Sequence, residues 1–258
     1  MPAAFTRAVS PRLAECALTH VERRPIDPAK AAAQHARYER ALQESGLEVI
    51  RLPELPDDPD GVFVEDTAVL LEGYALIARP GVASREMEGE STAQGLAGHM
   101  SVRRMVSGRL DGGDVLRLGR TIYAGLSSRT NEAGVAELAA FAEPLGYRVV
   151  PVRLDGCLHL KSGVSSLGAD VAGTETIIIN GDWLHPALFA DAEALSVDEQ
   201  EPFAANCLRA GPNVIMPASN PRTAERIRSR GFSLIEVDVS ELQKAEAGVT
   251  CMSLIKED

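Results

Sequence analysis

The chain has 258 residues, of which 45% are hydrophobic and 24% are charged, and its formal net charge is -11. This composition is typical of an ordinary globular protein, and the sequence contains no apolar run long enough to span a bilayer, which argues against a membrane role. The negative charge, together with the lack of Lys/Arg runs interleaved with aromatic residues, argues against nucleic acid as a partner and favours a small cationic ligand.

The first predicted helix begins at Asp27-Pro28, where an N-cap residue is followed by proline at the first helical position. Apolar residues then recur at helical spacing until Gly46, which ends the helix. The β-rich stretch 47–52 follows. Helix, glycine and strand in this order form one unit of the chain.

The same unit recurs twice. Gly146 follows an alanine-rich helix and precedes YRVVPV, and Gly231 follows a helix begun by Asn220-Pro221 and precedes FSLIEV. Further β-type segments lie between the copies, more than a plain βαβ winding would use: VFVEDTAVLL, ALIA, DVLRL, TIYAG, TIIIN and NVIMPA. We therefore expect an α/β fold of mixed sheets repeated around an axis. No Gly/Ser linker or low-complexity segment marks a boundary, so we expect one domain over residues 1–258.

Unusual polar residues follow these units. Glu65-Asp66, His159 and Cys251 each lie in a strand-like segment after one copy, so rotation about an axis would bring them together. Two adjacent carboxylates in an apolar strand are costly to bury unless a cation or hydrogen-bond donors meet them. A planar guanidinium would meet them well. The alternative is that one carboxylate faces water while the other accepts from backbone amides or pairs with an arginine of the protein.

The four cysteines form no CxxC pair and no dense framework, and the N-terminal MPAAFTRAVSPRL lacks the apolar segment of a secretory signal. We therefore expect reduced thiols and a cytoplasmic location. A cysteine taken from a sequence is first an inert core thiol. Cys251 in GVTCMSLI becomes a candidate nucleophile only because the chain also contains a candidate base and a group to orient it.

The best candidate base is His159 in GCLHLKSG, for which the alternative is a hydrogen-bonded core histidine. Cys157 and His159 share a strand face, so a metal site with Asp111 is a further option, although C-x-H is not a recognised zinc spacing. Asp111 and Asp114 flank the glycine pair of LDGGDVLRL, a stretch that by itself predicts a turn before a strand. Arg85 in ASRE and Arg129 in SSRTN by themselves are typical of surface arginines.

Taken in order, seven motifs closely resemble the dimethylarginine dimethylaminohydrolase family over nearly the whole chain: FVEDTAV, RPGVASR, LDGGDVL, LSSRTNEAG, LHLKSG, AANC and GVTCMSL. That family belongs to the guanidine-modifying, or pentein, superfamily. The resemblance implies a five-bladed α/β propeller, built from ββαβ-type units in pseudo-fivefold arrangement, with the active site on the axis.

The resemblance also implies roles for individual residues. Cys251 would be the nucleophile, His159 the general acid and base, and Asp111 the residue that orients His159. The implied substrate contacts are Glu65 and Asp66 to the guanidinium, Arg85 and Arg129 to the α-carboxylate, and Asp60 with the backbone around Leu18 and Ala245 to the α-amine. The implied reaction converts an Nω-methylated arginine to citrulline and an alkylamine through an S-alkylthiouronium on the cysteine, with no metal and no organic cofactor.

Other functions stay open at this point. Within the superfamily they are arginine deiminase or amidinotransferase chemistry on another guanidine, although such chains are usually longer. Outside catalysis they are a pentein-fold protein that binds protein partners, and a regulator that holds zinc with Cys251 and His159. The sequence does not fix the oligomeric state, for which a homodimer is one option.

Overall fold

The computed structural model describes residues 1–82, 85, 87–154, 157–169 and 174–257. Within this part the strands are β1 (Ala3–Thr6), β2 (Glu48–Arg51), β3 (Ala68–Leu71), β4 (Tyr74–Ile77), β5 (Ser101–Arg104), β6 (Val115–Leu118), β7 (Thr121–Leu126), β8 (Arg148–Arg153), β9 (Val164–Ala169), β10 (Glu175–Ile179), β11 (Glu193–Ser196), β12 (Leu208–Ala210), β13 (Asn213–Pro217), β14 (Ser233–Val237) and β15 (Leu254–Lys256). The α-helices are α1 (Pro28–Glu44), α2 (Glu88–Leu96), α3 (Glu132–Ala142), α4 (Leu160–Gly163), α5 (Pro221–Ser229) and α6 (Ser240–Gln243).

These strands form five sheets of three strands each: β15-β1-β2, β3-β4-β5, β6-β7-β8, β9-β10-β11 and β12-β13-β14. In every sheet the first pair is antiparallel and the second pair is parallel. A parallel pair needs a crossover, which a helix supplies in four of the five units. The predicted five-bladed α/β propeller of ββαβ-type units is confirmed.

The strands that begin the units lie next to one another around the axis. β15 contacts β3, β6 contacts β9, and β9 contacts β12. The sheet that contains β1 is completed from far along the chain, because β15 pairs with β1 antiparallel and places Leu254 opposite Phe5. Both residues are buried, so hydrophobic contact as well as hydrogen bonding closes the ring.

The predicted helix starts and stops are also confirmed. The Asp27 side chain accepts from the backbone N–H groups of Ala29 and Lys30 at the start of α1. Gly46, Gly146 and Gly231 follow their helices with φ of 87°, 84° and 86°, a backbone conformation that favours glycine. Only three of the five units were visible in the sequence, because α2 ends without such a glycine and a 3₁₀ turn, Pro186–Phe189, replaces the helix before β11.

The polar residues singled out in the sequence lie in helical turns that precede a first strand, and the prediction that they lie in strands is wrong. Glu65 and Asp66 occupy the 3₁₀ turn Val64–Thr67, and Cys251 occupies the 3₁₀ turn Thr250–Met252. His159 is the N-cap residue of α4. Successive side chains of a strand point to opposite faces, whereas a tight helical turn allows two adjacent carboxylates to be buried together at the axis.

The hydrophobic core is divided among the units, and the largest cluster lies under α1, where Ala31, Tyr38 and Leu42 are fully buried. The sheets therefore surround the axis, and the short helical turns that precede their first strands contain the polar residues of the site. In the part of the chain described, no helix has the length and apolar character needed to cross a membrane.

Candidate active site

A histidine held between two aspartates lies at the centre of the ring. His159 Nε2 lies 3.0 Å from Asp111 Oδ2, and His159 Nδ1 lies 3.9 Å from Asp66 Oδ1. All three residues are buried. The Asp114 carboxylate accepts from the backbone N–H of Leu160 at 2.9 Å, which fixes the start of the short helix that carries His159. Three neighbouring units therefore meet at one imidazole, as the repeat predicts.

The two glycines of LDGGDVL allow this close approach. A Cβ atom on Gly113 would lie 2.8 Å from both His159 Nδ1 and Asp66 Oδ1, and one on Gly112 would lie 2.0 Å from the carbonyl oxygen of Glu65. Gly113 N–H also donates to Asp66 Oδ1 at 3.1 Å. The glycine pair is therefore required by packing against the site, and not only by the turn that the sequence predicts.

Electrostatics keeps the imidazole charged. Burial by itself would lower the pKa of His159, but Asp66 and the hydrogen bond to Asp111 outweigh burial and raise this pKa to about 9. Burial would likewise raise the pKa of Asp66, but charged His159 and Arg85 lower it to about 2. An ionised carboxylate and a protonated imidazole therefore coexist at neutral pH, and the imidazole has a proton to donate.

Cys251 lines the same small pocket as His159 and Asp66. Its Sγ accepts from the backbone N–H of Gly248 at 3.4 Å. Burial, followed by the charges of Glu65 and Asp66, raises the pKa of the Cys251 thiol to about 12. The thiol is therefore neutral in the absence of a ligand, and a cation bound beside it would favour the thiolate.

Glu65 is already paired within the protein. Its carboxylate accepts from Thr250 Oγ1 at 2.7 Å and from Lys161 Nζ at 2.6 Å. Burial nevertheless raises the pKa of Glu65 above its usual range, because the ion pair with Lys161 only partly offsets burial. One half of the sequence alternative holds for Asp66, which accepts from the backbone N–H of Gly113 and pairs with Arg85. The other half, in which the second carboxylate faces water, is wrong, because Glu65 is buried and paired with Lys161. A contact from Glu65 to a guanidinium stays a prediction.

Arg85 is buried, so its interpretation as a surface arginine is wrong. Its Nη1 donates to Asp66 Oδ2 at 2.6 Å, and its Nε and Nη2 donate to the two carboxylate oxygens of Glu88 at 2.7 and 2.8 Å. Its neighbours 83, 84 and 86 lie outside the described residues. The carboxylate expected to hold a substrate guanidinium thus already has an arginine against it, and the predicted contact from Arg85 to an α-carboxylate stays a prediction.

The remaining predicted contacts involve Asp60, Arg129 and Ala245, which line the same small pocket. Arg129 is buried and not at the surface; its Nη1 lies 3.7 Å from Asp111 Oδ2. Asp60 accepts from the backbone N–H of Ala17 at 3.2 and 3.3 Å. Leu18, half-buried, follows Ala17 in the same segment. The residues predicted for the amino-acid end of a substrate are therefore together.

One cluster has the composition of a metal site. Among the described residues, one group of three His, Cys, Asp or Glu side chains has ligand atoms within 4.8 Å of one another: Asp66, Asp111 and His159. Cys157 does not belong to it, so the metal site considered from the sequence does not form. His159 Nε2 is directed at Asp111 and Asp66 is paired with Arg85, which is the arrangement of an oriented acid–base group.

Asn206 is a polar contact that the sequence interpretation did not single out. Its Nδ2 donates to Thr250 Oγ1 at 2.9 Å and to the carbonyl oxygen of Lys161 at 3.0 Å, while its Oδ1 accepts from Thr250 N–H at 3.1 Å. Asn206 precedes the first strand of its own unit, as Cys251 and His159 precede theirs. That repeated position is the signal by which it could have been found.

Comparisons with known proteins identify the family of this chain. A family model described as N,N dimethylarginine dimethylhydrolase, eukaryotic, matches residues 19–255. An N(G),N(G)-dimethylarginine dimethylaminohydrolase of Streptomyces coelicolor is 41% identical over 253 residues, covering 97% of this chain and 95% of the relative. The chain belongs to the dimethylarginine dimethylaminohydrolase family. A family member of the same name from Pseudomonas aeruginosa is 39% identical over 233 residues, covering 88% of this chain and 89% of that protein.

Solved structures of family members superpose closely. A variant of the Pseudomonas aeruginosa protein with serine in place of a cysteine, complexed with citrulline, has a TM-score of 0.92 at 35% identity and covers 98% of both chains. A second solved structure is that of a dimethylarginine dimethylaminohydrolase with glycine in place of a histidine, as an adduct with S-methyl-L-thiocitrulline. It has a TM-score of 0.91 at 34% identity and covers 98% of this chain and 99% of that chain. The N-terminal domain of ArgZ, an arginine dihydrolase, matches with a TM-score of 0.85 at 17% identity, covering 100% of this chain and 98% of that domain, and bears on the fold alone.

Proposed function

We propose that this chain hydrolyses the guanidinium C–N bond of an Nω-methylated arginine, giving citrulline and an alkylamine through an S-alkylthiouronium on Cys251. The observation that carries this proposal is that His159, held between Asp66 and Asp111, lines the same small pocket as Cys251. No metal ion or organic cofactor is needed for the steps below.

Substrate binding comes first. The guanidinium carbon is a poor electrophile because its charge is delocalised, so the site must hold the cation in place while the thiolate attacks. Asp66 is suited to this because it remains ionised, and the hydrogen bond from Arg85 helps to keep it so. The arriving cation also lowers the pKa of the Cys251 thiol, so that binding of substrate and loss of the thiol proton are coupled.

Covalent catalysis follows. The Cys251 thiolate adds to the guanidinium carbon, and His159 gives its proton to the alkylamine nitrogen as the C–N bond breaks, because an alkylamine is a poor leaving group until it is protonated. Neutral His159 then removes a proton from water, and the resulting hydroxide adds to the thiouronium carbon. The C–S bond breaks and the proton of the new hydroxyl passes to sulfur, so that citrulline leaves and the neutral thiol of Cys251 is restored. Asp111 keeps Nε2 of His159 protonated throughout, so that Nδ1 exchanges the proton.

A substrate panel tests the proposal. Asymmetric dimethylarginine, monomethylarginine and free arginine are offered separately, and citrulline, alkylamine and ammonia are measured together. We expect citrulline and the alkylamine in equal amounts from a methylated substrate, and no product from Cys251→Ser. Faster release of ammonia from free arginine would indicate a deiminase, and dependence on an acceptor amine would indicate an amidinotransferase. Either result, or no turnover of any substrate, would contradict the proposal.

We further propose that residues 1–258 act as one catalytic unit, since the sheet of β15, β1 and β2 is built from distant parts of the chain. The cytoplasmic location and the homodimer remain predictions from the sequence.

A further inference from the structure

An irregular segment beside the pocket is held through five of its own polar groups. This segment, the strap, comprises residues 17–21, which belong to no helix or strand. Its Ala17 N–H is bound by Asp60, and its Thr19 hydroxyl accepts from Arg129 Nη2 at 2.9 Å. Asp60 and Arg129 also line the pocket, so the strap is tied to residues predicted to bind the amino-acid end of a substrate.

Three further hydrogen bonds to the strap come from a residue that neither the family resemblance nor the proposed mechanism uses. The carboxylate of Glu246 accepts from three successive backbone N–H groups: Thr19 to Oε2 at 2.5 Å, and His20 and Val21 to Oε1 at 2.5 and 3.0 Å. Hydrogen bonds to an ionised acceptor are shorter and stronger than neutral ones. One side chain thus satisfies backbone donors that have no partner strand or helix.

The backbone of Glu246 gives an independent reason to assign it a function. Its φ is 57°, in the left-handed region that favours glycine. It follows α6, and the bonds from Glu246 N to Gln243 O at 3.2 Å and from Ala247 N to Leu242 O at 3.3 Å form the helix-ending motif whose left-handed position is usually glycine. The backbone strain of a glutamate in this conformation is offset by the three hydrogen bonds that its carboxylate accepts from the strap.

We propose that Glu246 is a positioning residue for catalysis: it holds the strap closed and thereby fixes the backbone on both sides of the predicted α-amine site. Ala245, which is next to Glu246, lines the pocket, and Leu18 is within the strap. The carboxylate therefore ties together the two backbone segments predicted to receive the α-amine. This inference rests on the proposed function, and it concerns the amino-acid end of the substrate and not the reacting carbon.

Glu246→Gly tests the inference because it removes the carboxylate and suits the backbone conformation at this position. Glycine relieves the left-handed conformation, so we expect a melting temperature that is unchanged or higher, while the three hydrogen bonds to the strap are lost. For a methylated arginine we expect KM to rise roughly tenfold and kcat to change less than about twofold, because an interaction away from the reacting atoms is removed. Amide hydrogen exchange of Thr19, His20 and Val21 should become faster.

Two further variants complete the test. Glu72 has the other positive φ among the non-glycine residues described, 49°, and lies in the turn between β3 and β4, so Glu72→Gly makes the same backbone change away from the strap. We expect it to leave both KM and strap exchange unchanged. Glu246→Gln keeps one acceptor oxygen and the native backbone, so we expect KM and strap exchange between those of wild type and Glu246→Gly. This variant replaces the glycine variant if the latter fails to fold.

Hydrogen exchange separates this inference from the proposed function, since it needs no turnover. Unchanged exchange of the three strap amides in both Glu246 variants would overturn the anchoring. Faster exchange with an unchanged KM would overturn the positioning role, as would an equal rise in KM in Glu72→Gly. Failure of the wild-type protein to turn over any methylated arginine would instead overturn the proposed function, while the exchange data would still test the anchoring.

Discussion

The hydrogen bond between His159 and Asp111 allows the sharpest test of the mechanism. Asp111 is fully buried, with Oδ2 3.0 Å from His159 Nε2 and Oδ1 accepting from the backbone N–H of Gly81 at 2.8 Å. In Asp111→Asn the shape is kept and one charge is removed. If the amide oxygen continues to accept from Gly81, the amide nitrogen faces the imidazole and donates to it. The imidazole proton is then displaced from Nε2 to Nδ1, which is the wrong tautomer for accepting a proton from water.

The size of the effect follows from two contributions. In Asp111→Asn the burial of His159 remains, while one of the charges that raise its pKa disappears. We therefore expect the pKa of His159 to fall from about 9 to roughly 6–7. Each unit of this fall corresponds to about 1.4 kcal/mol less stabilisation of the charged imidazole. The tautomer adds to this loss, and in a serine protease triad the same substitution lowers kcat by about 10⁴-fold. We therefore expect kcat to fall by roughly 10²- to 10⁴-fold, or about 3–5 kcal/mol, with KM nearly constant.

Steady-state kinetics with a methylated arginine, combined with NMR titration of the His159 ring, would measure both contributions. Asp191→Asn is a matched control, because Asp191 is an exposed aspartate paired with Arg148 at the surface. We expect it to change neither quantity. A kcat for Asp111→Asn within about threefold of wild type, or a His159 pKa that stays near 9, would refute the role given to Asp111.

Three other results are expected. A haloacetamidine should alkylate Cys251 before the other three cysteines and more slowly when substrate is present; mass spectrometry that locates the adduct elsewhere would contradict the nucleophile. Arg129→Ala should raise KM for methylated arginine by roughly tenfold or more and have little effect on its decarboxylated analogue, which the wild-type protein should already bind poorly; equal effects on both compounds would count against a carboxylate contact. The raised pKa of His159 stabilises the fold fully below about pH 6.5 and progressively less as the pH rises through about 9. Urea unfolding should therefore show up to roughly 3 kcal/mol less stability at high pH, and His159→Gln should remove that part of the dependence.

Much of the fold is predictable because its rules are local. Asp27-Pro28 and Gly46 act through their own backbone, and the helix between them has the predicted bounds within two residues. The turns that carry the site were mistaken for strands because VFVEDTAVLL has the composition of a strand. The 3₁₀ turn that carries Glu65 and Asp66 packs against the turns that precede β6 and β15, and no single segment of the sequence encodes these contacts between units.

For the candidate site, too, some features are predictable from local sequence and others are not. Ordered motifs indicated which residues matter, but their partners depend on distances between units. Glu65 is paired with Lys161, which nothing near Glu65 in the sequence indicates, and Arg85 is directed at Asp66 instead of standing at the surface. Glu246 was not predicted, because its importance lies in a backbone angle and in three amides more than two hundred residues earlier.

The pairing of β15 with β1 also matters while the protein is being made. β1 leaves the ribosome before β15 and the thiol of Cys251, which follow only after the other fourteen strands described. Throughout that interval one edge of β1, a strand buried in the finished fold, has no neighbour to bond, and unpaired edges of this kind invite aggregation. A chain that stops before β15 cannot complete this sheet, and a chain that stops before Cys251 also lacks the thiol proposed to attack the substrate, so closure of the ring and completion of the proposed site depend on the same late segment.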